Sequence, residues 1–482
     1  MQKVLSNSEM RKADEYTIKT LNIPSRTLMH RAGEGLFEEV LSAYEELGGE
    51  VLVVCGTGNN GGDGYVLARL LYEHKIPVAV YAVDGDLSLD CRREKEEYKG
   101  RYLRDIRAKI IVDCIFGTGL NREINGETKE LITAVNSSGA YIISADIPSG
   151  INGDNGLVMG TAVKADKTVV ISDYKYGHFM SDGGDYCGEL IKKDIGISLN
   201  ERDFSTIYEL SDIKNLYPVR PRNSNKGTYG TANIIAGSER YLGAPVLAVE
   251  TALKSGCGYV TLTACDRVKN NLCVKFPQVI YSDEPNLQAD AIAIGMGCGV
   301  SEELYKRLKF LIENYRGVLI LDADALNALA VYGVDVLDGA NCEILITPHV
   351  KEFSRLTKKS VAEILANPIE TAREFAKAHK ITVLLKSSVS VITDGAATIL
   401  NTRGTTALSK AGSGDMLAGY VCGFAATLQG TPQKAIKAAI VGAFTIGLAA
   451  EISTAQKTSV CATARDIIKN LPAAVKEILS AR

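Results

Sequence analysis

The sequence EVLVVCGTGNNGGDG, at residues 50–64, is an apolar run that leads directly into a glycine-rich loop. The segment after it, YVLARLLYEHK at residues 65–75, spaces its apolar residues as on one face of a helix. Short Val- and Ile-rich runs typical of buried parallel strands follow in PVAVYAV, KIIVDCIFG, AYIISADIPSG and DKTVVIS. A strand, a glycine-rich turn and a helix in this order open the α/β folds that bind nucleotides. We therefore predict a Rossmann-like doubly wound sheet for the first half of the chain.

The second half repeats this alternation after a polar stretch that contains Pro218 and Pro221. Such stretches mark domain boundaries, and we place this boundary near Tyr208. Beyond it, TANIIAG, YVTLTAC, AIAIGMGCG, VLILDADAL, EILITPH and ITVLLKSSVSVITDG predict strands. GAPVLAVETALKSGCG, SEELYKRLKFLIENY and VAEILANPIETAREFAKAHK predict helices. The sequence thus predicts two α/β domains, residues 1–208 and residues 209–482.

Composition excludes several classes of function. The net charge of −3 gives no electrostatic footprint for nucleic acid. None of the 11 cysteines forms a C-x-x-C pair, which argues against a zinc site and a disulfide framework. The N-terminus lacks the apolar core of a signal peptide, and the apolar stretch at residues 438–450 is too short to span a bilayer, so it predicts a buried helix. We expect a cytoplasmic protein.

Polar side chains in the first glycine-rich loop suggest more than a tight turn. Asn59, Asn60 and Asp63 occupy a loop that dehydrogenases usually fill with small residues. Asp113, Asp146 and Ser149 follow two later predicted strands, and loops after parallel strands converge on one crevice. Such oxygen donors suit a hard cation or a sugar-like hydroxyl. Two alternatives remain open: a ligand-free turn, and a Rossmann dehydrogenase whose acidic residue is Asp84 or Asp86.

At these positions the chain resembles the hydrated-nicotinamide-nucleotide epimerases, through NNGGDG, DCIFGTGLNRE and ADIPSG in that order over about residues 1–205. The resemblance implies a potassium ion at Asn60, Asp113 and Ser149. It makes Asp146 the candidate for proton transfer, the alternative being a cap on the turn that follows it. The DYKYGH string departs from the family's wording, which leaves the role of Lys175 open. The substrate residues that the resemblance implies are Asn59, Asn60, Gly61, Gly62, Asp63, Gly117, Thr118, Gly119, Leu120, Asn121, Arg122, Glu123 and Asp146.

A second constellation lies in LSKAGSGDMLAG, at residues 408–419. Its glycine-rich loop predicts a helix start near Asp415, where backbone amides can gather the charge of a phosphoryl group. Asp415 either takes a proton from a hydroxyl or is an ordinary helix N-cap. Lys386 begins KSSVSVI on a predicted strand and offers donors for phosphate or ribose. Asp322 and Asp324 either bind a ligand or cap the next helix.

These strings resemble the ribokinase-like superfamily and, more narrowly, the ADP-dependent NAD(P)H-hydrate dehydratases. GAPVLA, IGMGCG, LDADALN, TPHVKEF and GSGDMLAG cover about residues 210–482 in the family's order. The implied hydrated-nucleotide site consists of Ala244, Gly297, His349 and Asp415. The implied adenine-nucleotide site consists of Lys386, Ser387, Ser388, Val389, Ser390, Gly412, Ser413 and Gly414. Ser387 and Ser390 depart from the family's glycine and threonine.

Together the halves resemble the bifunctional NAD(P)H-hydrate repair enzymes. The resemblance implies that one domain epimerises hydrated NADH and NADPH, and that the other dehydrates the S form while ADP becomes AMP and phosphate, with magnesium assisting. The alternatives are a ribokinase-like small-molecule kinase fused to a nucleotide-binding domain, and a first half that only senses nucleotide. We expect small-molecule nucleotides as partners, no nucleic acid, no membrane and a homo-oligomer.

Overall fold

A computed structural model describes residues 1–120, 122–199 and 204–481 of the chain. It contains two compact units, one of residues 3–204 and the other of residues 205–482 together with Met1 and Gln2. The sequence-predicted boundary lies slightly later, at residues 208 and 209, and assigns the short strand at residues 205–207 to the first domain.

The first unit alternates strands and helices, as the sequence predicts. Its elements are β1 (Gln2–Leu5), α1 (Asn7–Lys19), α2 (Ser25–Leu47), β2 (Val51–Cys55), α3 (Asn59–Glu73), β3 (Val78–Ala82), α4 (Leu89–Glu97), β4 (Arg101–Tyr102), β5 (Ile110–Cys114), α5 (Gly126–Asn136), β6 (Tyr141–Ala145), β7 (Lys167–Ile171), β8 (Tyr174–Lys175), α6 (Gly183–Tyr186) and β9 (Glu189–Lys193).

The main sheet of this unit is parallel and has the order β4-β3-β2-β5-β6-β7-β9. From β2 to β4, successive strands are added toward one edge of the sheet, whereas from β5 onward they are added toward the other edge. The strand order therefore reverses between β2 and β5. A reversal of this kind opens a crevice at the carboxyl ends of the strands, where ligands bind. The predicted doubly wound sheet is confirmed.

The residues at 59–64, which the sequence places in the loop, already belong to α3, and close packing explains their glycines. Gly61 lies against the backbone of Gly56, and a Cβ at Gly61 would overlap the Gly56 carbonyl oxygen. A Cβ at Gly64 would meet the side chains of Cys55 and Cys114, at the ends of β2 and β5. The absence of side chains therefore lets α3 start directly above the point where the strand order reverses.

The second unit is a larger α/β layer structure. Its elements are β10 (Ser205–Ile207), α7 (Leu210–Lys214), β11 (Thr231–Ile235), α8 (Gly243–Ala252), β12 (Tyr259–Thr263), α9 (Asp266–Leu272), β13 (Ile280–Ser282), β14 (Ala291–Ile294), α10 (Glu302–Asn314), β15 (Val318–Leu321), α11 (Asp324–Tyr332), β16 (Glu343–Ile346), α12 (Val350–Thr357), α13 (Val361–Ala366), α14 (Pro368–His379), β17 (Thr382–Leu385), β18 (Ser390–Thr393), β19 (Thr398–Asn401), α15 (Ser413–Thr427), α16 (Lys434–Cys461) and α17 (Ala464–Ser480).

Its sheet has the order β13-β12-β11-β14-β15-β16-β17-β18-β19-β10 and is parallel from β13 to β17. The order reverses between β11 and β14, which places a second crevice at their carboxyl ends. The predicted strands at residues 381–395 are confirmed as β17 and β18, but the prediction that Lys386 lies on a strand is wrong, because the two strands form an antiparallel hairpin. Lys386 and the two serines after it lie in the turn, where polar side chains interrupt the apolar run.

The predicted buried helix at residues 438–450 is confirmed as part of α16. This helix is long and apolar enough to cross a membrane, but 83% of its most apolar window is buried inside the protein. It packs against α15 and α17, and Thr458 interrupts its helical backbone. Burial of this kind is typical of the core helix of a globular unit.

Candidate active sites

A cleft of about 630 Å³ lies at the crevice of the first unit. Its floor comes from the loops after β2, β5 and β6, and α1 and α2 provide a wall. The sequence-predicted residues that line it are Asn59, Asn60, Asp63, Gly117, Thr118, Gly119, Leu120, Arg122 and Asp146. Gly61 and Gly62 lie below its surface as buried packing positions, and Glu123 is exposed outside its wall. Asn121 lies outside the described residues.

The amino end of α3 faces this cleft. Its N-cap is Gly58, which supplies no side-chain hydrogen bond. Because the first amides of a helix have no partner within the helix, they attract an anion such as a phosphate. Asn59 lines the cleft at this point, and its Oδ1 accepts a hydrogen bond of 3.0 Å from the hydroxyl of Ser88.

Asp146 forms an ion pair with Lys175 at the base of the same cleft. The Lys175 side chain is 2% exposed, and its Nζ also donates to the Ile171 carbonyl oxygen at 2.8 Å. The strand β8 carries Lys175 and pairs with β1. Asp146 has a φ of +64°, and its Oδ1 accepts from the Ile171 amide rather than from the turn after it. The carboxylate therefore faces Lys175, not the Pro-Ser-Gly turn that the sequence offered as an alternative.

A buried histidine fixes the backbone around this pair. His178 Nε2 lies 2.7 Å from the Asp146 carbonyl oxygen, and its Nδ1 accepts from the Lys175 amide at 2.9 Å. Burial and the charge of Lys175 lower the pKa of His178 to about 4. The ring is therefore neutral at pH 7, with its Nε2 proton donated to the carbonyl. It joins both members of the ion pair without adding charge.

Two further carboxyl groups line the cleft near the ion pair. Burial raises the pKa of Asp14 to about 6, and the charge of Asp146 adds to the rise. Burial also raises the pKa of Asp63 well above its usual value, with Asp146 and Asp14 contributing. Like charges this close oppose one another's ionisation, so the pKa values of both carboxyl groups rise.

Asp113 and Ser149 lie beneath the cleft and hold two strand ends together. The Asp113 carboxylate accepts from the amide and hydroxyl of Ser149 at 2.8 and 2.6 Å, from Ser144 Oγ at 2.9 Å and from the Ile115 amide at 3.2 Å. Burial nevertheless raises the pKa of Asp113. The Asn60 side chain would lie 3.5 Å from a Cβ on Gly117, and its nitrogen is buried with no hydrogen-bond partner among the described residues.

A cleft of about 430 Å³ marks the crevice of the second unit. Ala244 at the start of α8, Gly297 after β14 and Asp415 on α15 line it. The sequence placed these three residues in one site, and the structure brings them together. Tyr241, Arg240 and Asp324 complete much of the wall.

Asp415 is not the N-cap of its helix. The cap is Gly412, whose φ of +92° favours glycine, and α15 begins at Ser413. Asp415 therefore lies in the first turn with its carboxyl group toward the cleft. Burial raises its pKa to about 6, Asp322 adds to the rise, and Lys386 opposes it. A carboxyl group with this pKa is suited to take up a proton near pH 7.

Lys386 lies beside the same helix start. Its Nζ is 2.8 Å from Asp322 Oδ1, which also accepts from Thr347 Oγ1 at 2.7 Å. A Cβ on Gly414 would lie 3.3 Å from that Nζ. Burial acts to lower the pKa of Lys386, but the charges of Asp322 and Glu352 outweigh it and raise the pKa. The ammonium group is therefore a permanent positive charge next to the glycine loop.

Other predicted residues of this site are not among those that line the cleft. His349 is the N-cap of α12, and its Nδ1 accepts from the amides of Lys351 and Glu352. Its backbone forms a bridge with Lys386. In the described structure, neither His349 nor residues 387–390 line the 430 Å³ cleft. Asp322 does not cap a helix, because it binds Lys386 and Thr347, whereas Asp324 accepts from the Gly299 amide at 2.8 Å.

Sequence reasoning missed several residues that the structure brings to these sites. Asp14, Arg11 and Met10 reach the first cleft from α1, which the sequence shows only as a polar amphipathic helix. Tyr241 and Arg240 follow β11 in a loop that carries no recognised motif. The sequence named Lys175 only because DYKYGH departs from the family's wording, and it left the role of this lysine open.

Comparisons with known proteins identify a family for each half of the chain. A family model described as NAD(P)H-hydrate dehydratase matches residues 232–473, and one described as YjeF-related protein N-terminus matches residues 25–177. The bifunctional NAD(P)H-hydrate repair enzyme of Dictyoglomus turgidum is 32% identical over 100% of this chain and 99% of its own.

Solved structures resemble the second unit. The ADP/ATP-dependent NAD(P)H-hydrate dehydratase of Bacillus subtilis, co-crystallised with ATP and Mg²⁺, is 26% identical with a TM-score of 0.51, covering 58% of this chain and 100% of that one. A ribokinase-like superfamily protein of Enterococcus faecalis shares the fold at 22% identity and a TM-score of 0.50, covering 59% of this chain and 99% of that one. The predicted ribokinase-like fold is confirmed.

A Rossmann-like unit and a ribokinase-like unit, each with a carboxyl group at a crevice beside a glycine-started helix, define a nucleotide-binding α/β enzyme. The full-length similarity then specifies the family. The chain belongs to the bifunctional NAD(P)H-hydrate repair enzymes.

Proposed function

We propose that this chain restores hydrated NADH and NADPH in two steps. The first unit interconverts the R and S epimers of the hydrate at C6 of the nicotinamide ring. The second unit dehydrates the S epimer while ADP is converted to AMP and phosphate. The observation that carries this proposal is Asp415, a carboxyl group with a pKa of about 6, in the first turn of a glycine-capped helix and beside a permanently charged lysine.

In the second unit, Asp415 takes the proton of the C6 hydroxyl. The hydroxyl oxygen attacks the terminal phosphorus of ADP, and AMP leaves. The amides at residues 412–414 and the Lys386 ammonium stabilise the negative charge that develops on the phosphoryl oxygens. The C6–O bond of this phosphate ester then breaks, phosphate leaves with the bonding electrons, C5 gives its proton to water, and the ring double bond is restored.

In the first unit, the hydrated ring lies in the 630 Å³ cleft with its diphosphate at the amino end of α3. Asp146 transfers the proton that epimerisation at C6 requires. Lys175 orients the carboxylate through their ion pair, and His178 fixes the backbone of both residues. Asp14 and Asp63 line the same cleft, and burial raises the pKa of both.

Two cations belong to this proposal. Potassium would fit the first unit, because the Asn60 side-chain nitrogen has no hydrogen-bond partner among the described residues. Flipping that amide would exchange its nitrogen for its oxygen, and Asp113 and Ser149 supply further oxygen atoms. These three residues would hold the ion, which supplies positive charge beneath the nucleotide. Magnesium would fit the second unit, where the carboxyl group of Asp324 lines the cleft and could hold it, and the ion would supply charge that neutralises nucleotide phosphates.

A cytoplasmic location is supported by eleven cysteines that are all free. That the chain forms a homo-oligomer stays a prediction. Light scattering on the purified chain would measure its molar mass in solution and so test it.

The function is tested by incubating the full chain with a mixture of both hydrate epimers. With ADP, we expect complete conversion to NADH and one AMP per NADH. Without nucleotide, we expect the epimers to equilibrate without NADH formation. A stable phosphorylated product and no NADH would instead identify a small-molecule kinase, and persistence of the R epimer would remove the epimerase role of the first unit.

The pH dependence of dehydration follows from the raised pKa of Asp415. The group must be ionised to accept a proton, so the rate is expected to be constant above about pH 7 and to fall about tenfold per unit below pH 6. Lys386 holds this pKa down, so Lys386→Gln is expected to move the fall to higher pH. Initial rates at saturating substrate, measured across this pH range, show both the constant region and the fall. Enzyme-free samples at each pH correct for spontaneous loss of the hydrate. A flat wild-type profile across this range would contradict the role of Asp415 as base.

A further inference from the structure

A second cavity, of about 770 Å³, lies in the first unit at the carboxyl ends of β3 and β4. We call it the β3–β4 cavity. Asp84 and Gly85 after β3 form one side, Arg92 and Lys95 on α4 form another, and Tyr102 and Arg104 form the third. None of these residues takes part in the epimerisation chemistry described above.

The β3–β4 cavity adjoins the catalytic cleft through a short loop. The amide of Ser88 donates to the Thr57 carbonyl oxygen at 2.9 Å, and its hydroxyl donates to Asn59. A Cβ on Gly85 would lie 3.1 Å from the Thr57 side chain. Thr57 and Asn59 themselves line the catalytic cleft. The two spaces are therefore separated only by the loop at residues 84–88, beside the amino end of α3.

Sheet topology gives the direction in which a dinucleotide must run. The strand order reverses between β2 and β5, so a ligand whose diphosphate lies on α3 extends one end toward β5 and β6 and the other toward β3 and β4. Asp146 follows β6, which assigns the reacting ring to the β6 side. The opposite end of a hydrated dinucleotide, its adenosine, then points to the β3–β4 cavity.

The groups in the cavity match an adenosine. Tyr102 is 46% exposed and offers an aromatic face on which a base can stack. Arg104 Nη2 donates to Asp84 Oδ1 at 3.0 Å, and its Nη1 donates to the Ala82 carbonyl oxygen at 3.0 Å. An acidic residue at this strand end accepts a hydrogen bond from a ribose 2′-hydroxyl, and an arginine there binds a 2′-phosphate.

The cavity contains both an acidic residue and an arginine at this strand end, Asp84 and Arg104, and they form an ion pair with each other. The pair is exposed, with 79% of the Asp84 side chain and 62% of the Arg104 side chain accessible, so its members can exchange partners at small cost. The cavity also balances its charges, since Arg92, Lys95 and Arg104 face Asp84, Asp86 and Glu96. A wall selective for a 2′-phosphate would carry an excess of positive charge.

We infer that the β3–β4 cavity binds the adenosine end of the hydrated dinucleotide, and that Asp84 and Arg104 let one site accept both the 2′-hydroxyl and the 2′-phosphate forms. Asp84 accepts from the free 2′-hydroxyl of the NADH hydrate. Arg104 turns from Asp84 to the 2′-phosphate of the NADPH hydrate. The inference rests on the proposed epimerase function of this unit and adds to it the residues that read the 2′ position.

The test measures epimerisation of each hydrate by the full-length chain without ADP, so that dehydration cannot remove either epimer. For Arg104→Gln, we expect the KM for NADPH hydrate to rise about 10- to 100-fold, as for loss of a charged hydrogen bond, with the KM for NADH hydrate within about twofold of wild type. For Asp84→Asn, we expect the reverse order: a higher KM for NADH hydrate and no increase for NADPH hydrate.

Arg107→Gln is the matched control, because Arg107 also pairs with an aspartate, Asp105, on the same exposed segment but lies outside the cavity wall. It should leave both KM values unchanged. Equal effects of Arg104→Gln on both hydrates would mean that Arg104 only supports the loop through Ala82, and would overturn the inference. Absence of epimerisation in the wild-type chain would instead overturn the proposed function.

Discussion

Asp415→Asn is expected to reduce ADP-dependent dehydration by about 10²–10⁴-fold, the range of a lost general base. The asparagine amide has the same shape, but it cannot take the proton of the C6 hydroxyl. Asp415 makes no helix-capping hydrogen bond, because Gly412 is the cap, so the fold should survive the change. Stopped reactions that quantify NADH and AMP measure the loss.

The same protein sample contains an internal control for this variant. Epimerisation in the absence of ADP should proceed at the wild-type rate, which shows that the chain is folded and active. Asp266→Asn is a matched substitution, since Asp266 also lies in the first turn of a helix of the second unit but outside the cleft. Dehydration at an undiminished rate by Asp415→Asn would remove Asp415 from the mechanism.

Asp146→Asn is expected to slow conversion of the R to the S epimer by about 10²-fold or more. Dehydration of purified S hydrate should continue, because it takes place in the other unit. Chiral separation of the two epimers over time, without ADP, measures the effect.

Folding requires a second variant at this position. Lys175 is 2% exposed, and loss of its partner leaves a buried ammonium group unpaired, at a cost of about 3–5 kcal/mol. The double substitution Asp146→Asn and Lys175→Met removes both charges and is expected to recover the melting temperature without recovering epimerisation. Epimerisation by the folded double variant at the wild-type rate would show that neither residue carries the proton.

The sequence predicted both α/β units, because strand and glycine-loop signals are local. EVLVVCGTGNNGGDG contains the strand, the turn and the helix start in one stretch, and the structure has β2 ending at Cys55 and α3 starting at Asn59. GSGD likewise predicted the helix start beside Asp415 to within a few residues. The first place needs glycine for close backbone contact, and the second needs it because Gly412 has a φ of +92°, so both leave a glycine pattern in the sequence.

Long-range pairing could not be predicted in the same way. Lys175 reaches Asp146 from a two-residue strand that pairs with β1, near the start of the chain, and nothing local in DYKYGH specifies that partner. The turn at Lys386 was predicted as part of a strand, since an apolar run interrupted by short polar residues fits one strand or a hairpin equally well. In the structure this segment is a hairpin, because β17 and β18 pair antiparallel. Lys386 lies between them and pairs with Asp322, 64 positions away.

Transfer of the substrate's own oxygen to phosphate is the central claim, and an isotope experiment measures it. The S hydrate carrying heavy oxygen at its C6 hydroxyl is incubated with the wild-type chain and unlabelled ADP, and the released phosphate is analysed by mass spectrometry. If the hydroxyl activated by Asp415 attacks phosphorus, each phosphate contains one heavy oxygen. Unlabelled phosphate together with labelled water would show that water left the ring directly, and would contradict the account.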